Sequence, residues 1–200
     1  MQSENAVIEL NRAHLWQIAL FSLNNTSTNL YLAMMGYVSY YANGIAGLSV
    51  VVISFILTGM RIFDGVTDPV IGYVIDKTNG RFGKFRPFMV IGNLIMAVSI
   101  ILLYIVTPYI PADMMPLRYV VFVLLYFVWV IGYTFQTSCT RSGQTVLTND
   151  PKQRPLFTIF NTVGSLVGMG VMQFVAPILR ANVADYSSAD FYRVLTPIGV

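Results

Sequence analysis

The sequence predicts an all-α integral membrane bundle, and three observations carry that prediction. Hydrophobic residues make up 56% of the 200 residues and charged residues only 10%, where ordinary soluble domains carry roughly 25%. The apolar residues gather into runs of about 20 or more, the length an α-helix needs to cross a bilayer. The lysines and arginines fall mostly between those runs, and mostly on one side. A soluble domain of this composition would lack the charge to cover its surface. Barrel strands are excluded too, since they would be segments of about 10 alternating residues.

Six segments follow in order: 15–42, 48–75, 88–107, 119–140, 156–179, and a sixth that starts near Phe191 and is cut off at Val200. The first two exceed what a bilayer requires, so they are expected to tilt or to reach into the headgroups. Residues 1–12 are polar, with Glu4 and Glu9, and the run behind them is too long for a cleaved leader, so no signal peptide is expected. Pro111 and Pro116 break the chain between the third and fourth segments. In the fifth, Gly164 and Gly168 stand four residues apart, a spacing of small residues that lets helix backbones approach. Cys139 is the only cysteine. It can form no intrachain disulfide, and its apolar surroundings make it a packing thiol.

Orientation follows from the basic residues. Arg12, Lys77, Arg81, Lys84, Arg86, Arg141, Lys152 and Arg154 belong to one side, and Arg118, Arg180 and Arg193 to the other. The N-terminus and both basic loops are therefore expected in the cytoplasm, with Arg141 an anchor at the cytoplasmic end of the fourth span. The net charge of +3 is small and points to no nucleic acid. The partner that the composition implies is the lipid bilayer.

The second span carries the chemistry. No charged residue separates Arg12 from Arg61, and then Arg61, Asp64 and Asp68 appear in one otherwise apolar helix. Spacings of three and four put them on one face, with the two carboxylates about 6 Å apart along the axis. Each charge at membrane depth costs at least about 2.5–3.5 kcal/mol, so three together ask for a reason. Two carboxylates against one guanidinium leave one negative charge, which a sodium ion or a proton would neutralise. Oxygen ligands suit such hard cations, and Thr67 and Thr134 offer more of them. The competing reading is an internal ion pair between Arg61 and one aspartate, which leaves the other carboxylate unpartnered. Pro69, which donates no backbone hydrogen bond, either frees a carbonyl near the carboxylates or marks an ordinary helix irregularity.

The same span runs into Gly72, Asp76 and Lys77 and then a loop of glycines and bases, Gly80, Arg81, Gly83, Lys84 and Arg86. A glycine, three residues, an acid and a base before such a cluster resembles the cytoplasmic loop of the major facilitator superfamily. The longer string Arg61-x-x-Asp64-x-x-x-Asp68-Pro69-x-x-Gly72-x-x-x-Asp76-x-Thr78, closing in Gly83-Lys84-Phe85-Arg86-Pro87, resembles the glycoside–pentoside–hexuronide:cation symporters, the melibiose permease-like family. The resemblance implies the six-helix N-terminal half of a twelve-helix fold, with the sixth helix truncated and the C-terminal half absent. It implies a bacterial cytoplasmic-membrane symporter that couples a sugar or glycoside to Na+ or H+, with Li+ also used in the family. It assigns Asp64 and Asp68 to the cation, Na+ included, helped by Thr134. Gly72, Asp76, Arg81, Lys84 and Arg86 become a cytoplasmic gate whose ion pairs form in one access state only.

The family's sugar ligands are aspartates in the first and fourth spans and an arginine in the fifth. Here the matching places hold Thr28 or Asn29, then Thr137, then Asn161, so neutral groups replace charged ones. Asn25, Asn29, Leu32, Gly36 and Ser39 recur every three or four residues and form a polar stripe toward the bundle interior. That stripe either lines an aqueous cavity or hydrogen-bonds between helices. Tyr31, Tyr37, Tyr40, Tyr41, Tyr133 and Phe135 either stack on a sugar ring or belong to interfacial belts. Tyr133 is the substrate candidate from the fourth span. No nucleophile with a base, metal cluster or phosphate loop suggests an enzyme or a bound cofactor. Three readings remain beside sugar symport: transport of another solute, a non-transporting module that pairs with a second subunit, and a membrane-embedded acid/base enzyme using Asp64 and Asp68.

Overall fold

A computed structural model describes residues 11–78, 80–81, 83–111 and 113–200. The polar start around Glu4 and Glu9, and Asn79, Phe82 and Ala112, lie outside the described residues. All regular structure within them is helical: α1 (Leu15–Met35), α2 (Val38–Gly44), α3 (Val50–Lys77), α4 (Arg86–Ile101), α5 (Met115–Leu147), α6 (Arg154–Asn182) and α7 (Ala189–Gly199). Four helical stretches are long and apolar enough to cross a membrane: Val50–Lys77, Arg86–Tyr109, Met115–Leu147 and Pro151–Asn182.

Within the first expected segment, 15–42, a turn at Gly36 and Tyr37 separates α1 from α2. Gly36 and Tyr37 keep right-handed backbone angles, with φ −59 and −89. Beyond them, Val38, Tyr41 and Ala42 reach the core. α1 is 21 residues long, yet it is not among the four apolar stretches, because Asn24, Asn25, Thr26, Ser27, Thr28 and Asn29 interrupt it.

α4 continues as a π turn at Leu102–Val106 and a 3-10 turn at Thr107–Tyr109. Pro108 lacks an amide hydrogen, which favours such a rearrangement of the ladder. Pro111 lies in the following loop, while Pro116 sits in the first turn of α5, where a missing N–H costs little. α5 extends well past the expected 119–140, and at 33 residues it is about 50 Å long.

α1 packs mainly on α6, α4 on α5, and α3 on α5. Glycine sets the first two contacts. A Cβ on Gly164 would lie 2.5 Å from Thr26 Oγ1, and one on Gly168 would run into the Thr26 carbonyl. Across α4 and α5, Gly92 and Gly132 each leave only 3.0 Å to the other's carbonyl oxygen. The core gathers Tyr31, Met34, Trp129 and a knot of tyrosines, in which Tyr41 meets Tyr104 and Tyr192 edge-on with centroids 5.1 Å apart. Tyr41 is fully buried. It therefore belongs neither to an interfacial belt nor to a sugar site. Cys139 is also fully buried, against Ile71, Ile75 and Phe85.

A clasp closes one end of the bundle. The chain before α1 lies along the loop between α5 and α6. Thr148 Oγ1 donates to the Asn11 carbonyl at 2.8 Å, Arg12 Nε to Asp150 Oδ2 at 2.8 Å, and Gln153 both accepts from and donates to the Ala13 backbone at 2.9 Å.

Candidate functional site

α3 and α5 run in the same direction, and their contact brings the charged face of α3 against the polar residues of α5. Asp64 and Asp68 are both partly buried. Thr134, fully buried on α5, donates its hydroxyl to Asp64 Oδ1 at 2.8 Å and lies 3.5 Å from the hydroxyl of Thr67. Thr67 itself donates to the Asp64 carbonyl at 3.0 Å. One side of Asp64 is thus held by a hydroxyl, and three oxygen-bearing side chains meet within one helical turn.

Arg61 is exposed and makes no ion pair with either aspartate among the described residues. It borders a small recess with Met60, Asp64, Tyr126, Trp129 and Tyr133, in which the buried Trp129 Nε1 has no partner among the described residues. The guanidinium nearest to Asp68 belongs to Arg141, with 3.8 Å between Nη1 and Oδ2. Arg141 lies about 9 Å inside the end of α5, because α5 continues well beyond the expected boundary.

Arg141 also borders an open cavity of about 220 Å³ between α1, α5 and α6, with Asn25, Asn29, Tyr133, Thr137 and Ser165. Of the expected stripe, Asn25 and Asn29 line this cavity and also hydrogen-bond to α6. Asn25 Nδ2 donates to Ser165 Oγ at 2.7 Å and to the Asn161 carbonyl at 2.9 Å, and Asn29 Nδ2 donates to Ser165 Oγ at 3.1 Å. These bonds tie α1 to α6, and the same side chains line the cavity. Asn161 enters through its backbone, and its side-chain Oδ1 is buried without a partner among the described residues. Thr137 bonds back to the Tyr133 and Thr134 carbonyls. Tyr133 stacks on Trp129 at 5.4 Å and stands between the recess beside Asp64 and the polar cavity. Gln136 points away and donates to the Met89 carbonyl of α4 at 2.6 Å.

At the basic end Asp76 pairs with Lys84 at 2.5 Å. Arg81 and Arg86 are exposed and form no ion pair with Asp76. Gly83 has φ +85, a left-handed turn that glycine adopts without strain. Around Gly72 a Cβ would find open space.

The family model described as MFS/sugar transport protein matches residues 21–200. The chain belongs to this family. That places it among multi-pass membrane transport proteins and removes the acid/base enzyme reading. Its relatives include symporter YnaJ of Bacillus subtilis (strain 168), 28% identical over 165 residues that cover 80% of this chain and 34% of the relative. The raffinose carrier protein of Pediococcus pentosaceus is 31% identical over 60% of this chain and 19% of its own length. The glucuronide carrier protein homolog of Escherichia coli (strain K12) is 32% identical over 49% and 22%. The chain thus spans about a third or less of the family members it matches.

Sequence reasoning missed Arg141 and Ser165 as members of the site. The spacing of Thr134, Thr137 and Arg141, at three and four residues, was the available signal for a shared face on α5.

Proposed function

We propose that the chain is the N-terminal six-span half of a symporter that couples Na+ or H+ to a sugar or glycoside across the cytoplasmic membrane, its basic end facing the cytoplasm. The observation that carries this reading is the half-buried pair Asp64 and Asp68 with Thr134 bonded to Asp64 Oδ1 at 2.8 Å. Carboxylate and hydroxyl oxygens at such a point form a ligand set for a hard monovalent cation. Pro69 lies inside α3 and withholds an amide, so the Gly65 carbonyl loses its usual partner and can add a further oxygen. Arg61, on the same helix face, sets the local charge.

The solute binds beside this set, in the cavity of Asn25, Asn29, Thr137 and Tyr133, with Asn161 behind it. The second half of the protein closes the site from the other side, and the two halves rock about it. Asp76, Lys84, Arg81 and Arg86, with Gly72 one turn before Asp76 on α3, hold the basic end in one access state and release it in the other. Coupling arises where occupation of one site changes the affinity of the other.

The test uses the full-length protein in proteoliposomes, with sugar-stimulated uptake of sodium or protons as the readout. Asp64→Asn and Asp68→Asn are expected to abolish the ion dependence while the folded protein is retained. Unchanged ion dependence in both variants would sink the cation site.

A further inference from the structure

A further pocket, of about 460 Å³, opens at the basic end and shares no residue with the recess beside Asp64 or with the polar cavity. Arg81, Lys84 and Arg86, at the turn from α3 into α4, form its rim. Its wall is apolar, with Phe21 of α1, Met89 of α4, and Val146 and Leu147 of α5. Gly143 lets α1 come this close to α5, since a Cβ there would lie 2.8 Å from the Phe21 ring. Val146 is 65% exposed although its side chain is apolar. Lys84 is already paired with Asp76. Arg81 and Arg86 are both exposed, and neither guanidinium has an ion pair or hydrogen bond among the described residues. Two positive charges are thus left at the mouth of an apolar pocket.

The depth of the pocket narrows the choice of occupant. The membrane-crossing stretch that begins at Arg86 holds 24 residues, about 36 Å at 1.5 Å per residue, against about 30 Å of hydrocarbon. Its first turn, which carries Met89, therefore lies where lipid headgroups meet acyl chains. A free phosphate would satisfy the two guanidinium groups and leave the apolar wall uncovered. A zwitterionic lipid would cover the wall but bring its own cation to the arginines. An anionic phospholipid meets both demands: its phosphate accepts charge-assisted hydrogen bonds from guanidinium, and its chain covers apolar surface. We propose that the pocket binds one anionic phospholipid, with its phosphate on Arg81 and Arg86 and an acyl chain along Phe21, Met89, Val146 and Leu147. This site is separate from the ion and solute sites above and does not depend on them.

The test is native mass spectrometry of the full-length protein, released from an uncharged detergent after equilibration with equal amounts of dioleoyl phosphatidylglycerol and dioleoyl phosphatidylcholine. One phosphatidylglycerol is expected to stay bound in preference to phosphatidylcholine. An arginine beside an anionic lipid is worth about fivefold in affinity, so Arg81→Gln with Arg86→Gln should weaken its retention about 25-fold. Replacing both by lysine should keep most of it, which separates lost charge from a folding defect. Lys152→Gln with Arg154→Gln removes two charges from the same end outside the pocket and should leave retention unchanged. Equal retention of the two lipids, or equal losses in the two glutamine pairs, would reduce the site to diffuse surface charge and overturn the proposal. Glycerophosphoglycerol, the same headgroup without chains, should not displace the lipid. Displacement at equal concentration would make this a site for soluble phosphates and overturn the proposal as well.

Discussion

Thr134 donates to Asp64 across 2.8 Å from a helix that lies 70 residues further along the chain. The same hydroxyl is within reach of the Val130 carbonyl at 3.0 Å, so a single proton serves two acceptors, and any ligand at Asp64 must share them. Removing the hydroxyl while keeping the shape should weaken the cation site without loosening the helix contact. Thr134→Val is expected to raise the half-saturating cation concentration about tenfold, as for a hydrogen bond to a charged group. Thr134→Ser should stay near wild type. Cation titrations of sugar exchange would decide, and an unchanged value in the valine variant would separate Thr134 from the ion.

The contact of α1 with α6 depends on Gly168, which faces the Thr26 backbone rather than a movable side chain. Gly168→Ala should therefore cost about 1–3 kcal/mol, the usual range for overpacking. Gly170, two residues on, has nothing within 4 Å of an added Cβ. Its alanine variant is expected to melt close to wild type, or slightly above it through improved helix propensity. Thermal unfolding of the two purified variants in one detergent provides the comparison. Equal melting would mean that α1 and α6 are not held at this distance.

Much of this arrangement was legible in the sequence, and the exceptions share a cause. The charged face of α3 could be read from its spacing, and so could the small residues Gly164 and Gly168, because both patterns lie within one helix. The partner of Asp68 could not. Whether Arg141 reaches it depends on how α5 is rotated against α3, which only the packing between helices decides. The turn at Gly36 and Tyr37 was hidden because an apolar run reads the same whether or not its helix is interrupted. The clasp between Arg12 and Asp150 joins residues 138 positions apart, beyond the reach of any local pattern.

Asp150 makes that clasp dependent on pH. The backbone amide of Lys152, donating at 2.9 Å, and the Arg12 guanidinium hold its carboxyl below the usual carboxylate range, against the opposing effect of burial. A lowered value in the folded state means stability that is present above the unfolded pKa of about 3.9 and lost as pH falls through the folded one. Protection of the Asn11 and Ala13 amides from hydrogen exchange, after correction for intrinsic rates, should be level near neutrality and decline below about pH 4. In Asp150→Asn that decline should vanish. A decline that persists in the variant would assign it to another carboxylate.

Arg118 acts at the opposite end, and it binds backbone rather than acid. Its guanidinium is buried, and donates to the Ala46 carbonyl at 3.0 Å and twice to the Ile110 carbonyl, at 3.1 and 2.6 Å. It therefore fastens the turn before α3 and the loop after α4 to the start of α5. Removing it leaves two carbonyls facing a void where water must enter. Arg118→Ala should lose about 3 kcal/mol, or about 6–12 °C in melting temperature for a chain of this length. Arg118→Lys keeps the charge but lacks the planar fork, so it should fall between the two. A melting temperature for the alanine variant within about a degree of wild type would show that the loops are held by their neighbours, Gly47 at φ +70 among them, and not by the guanidinium.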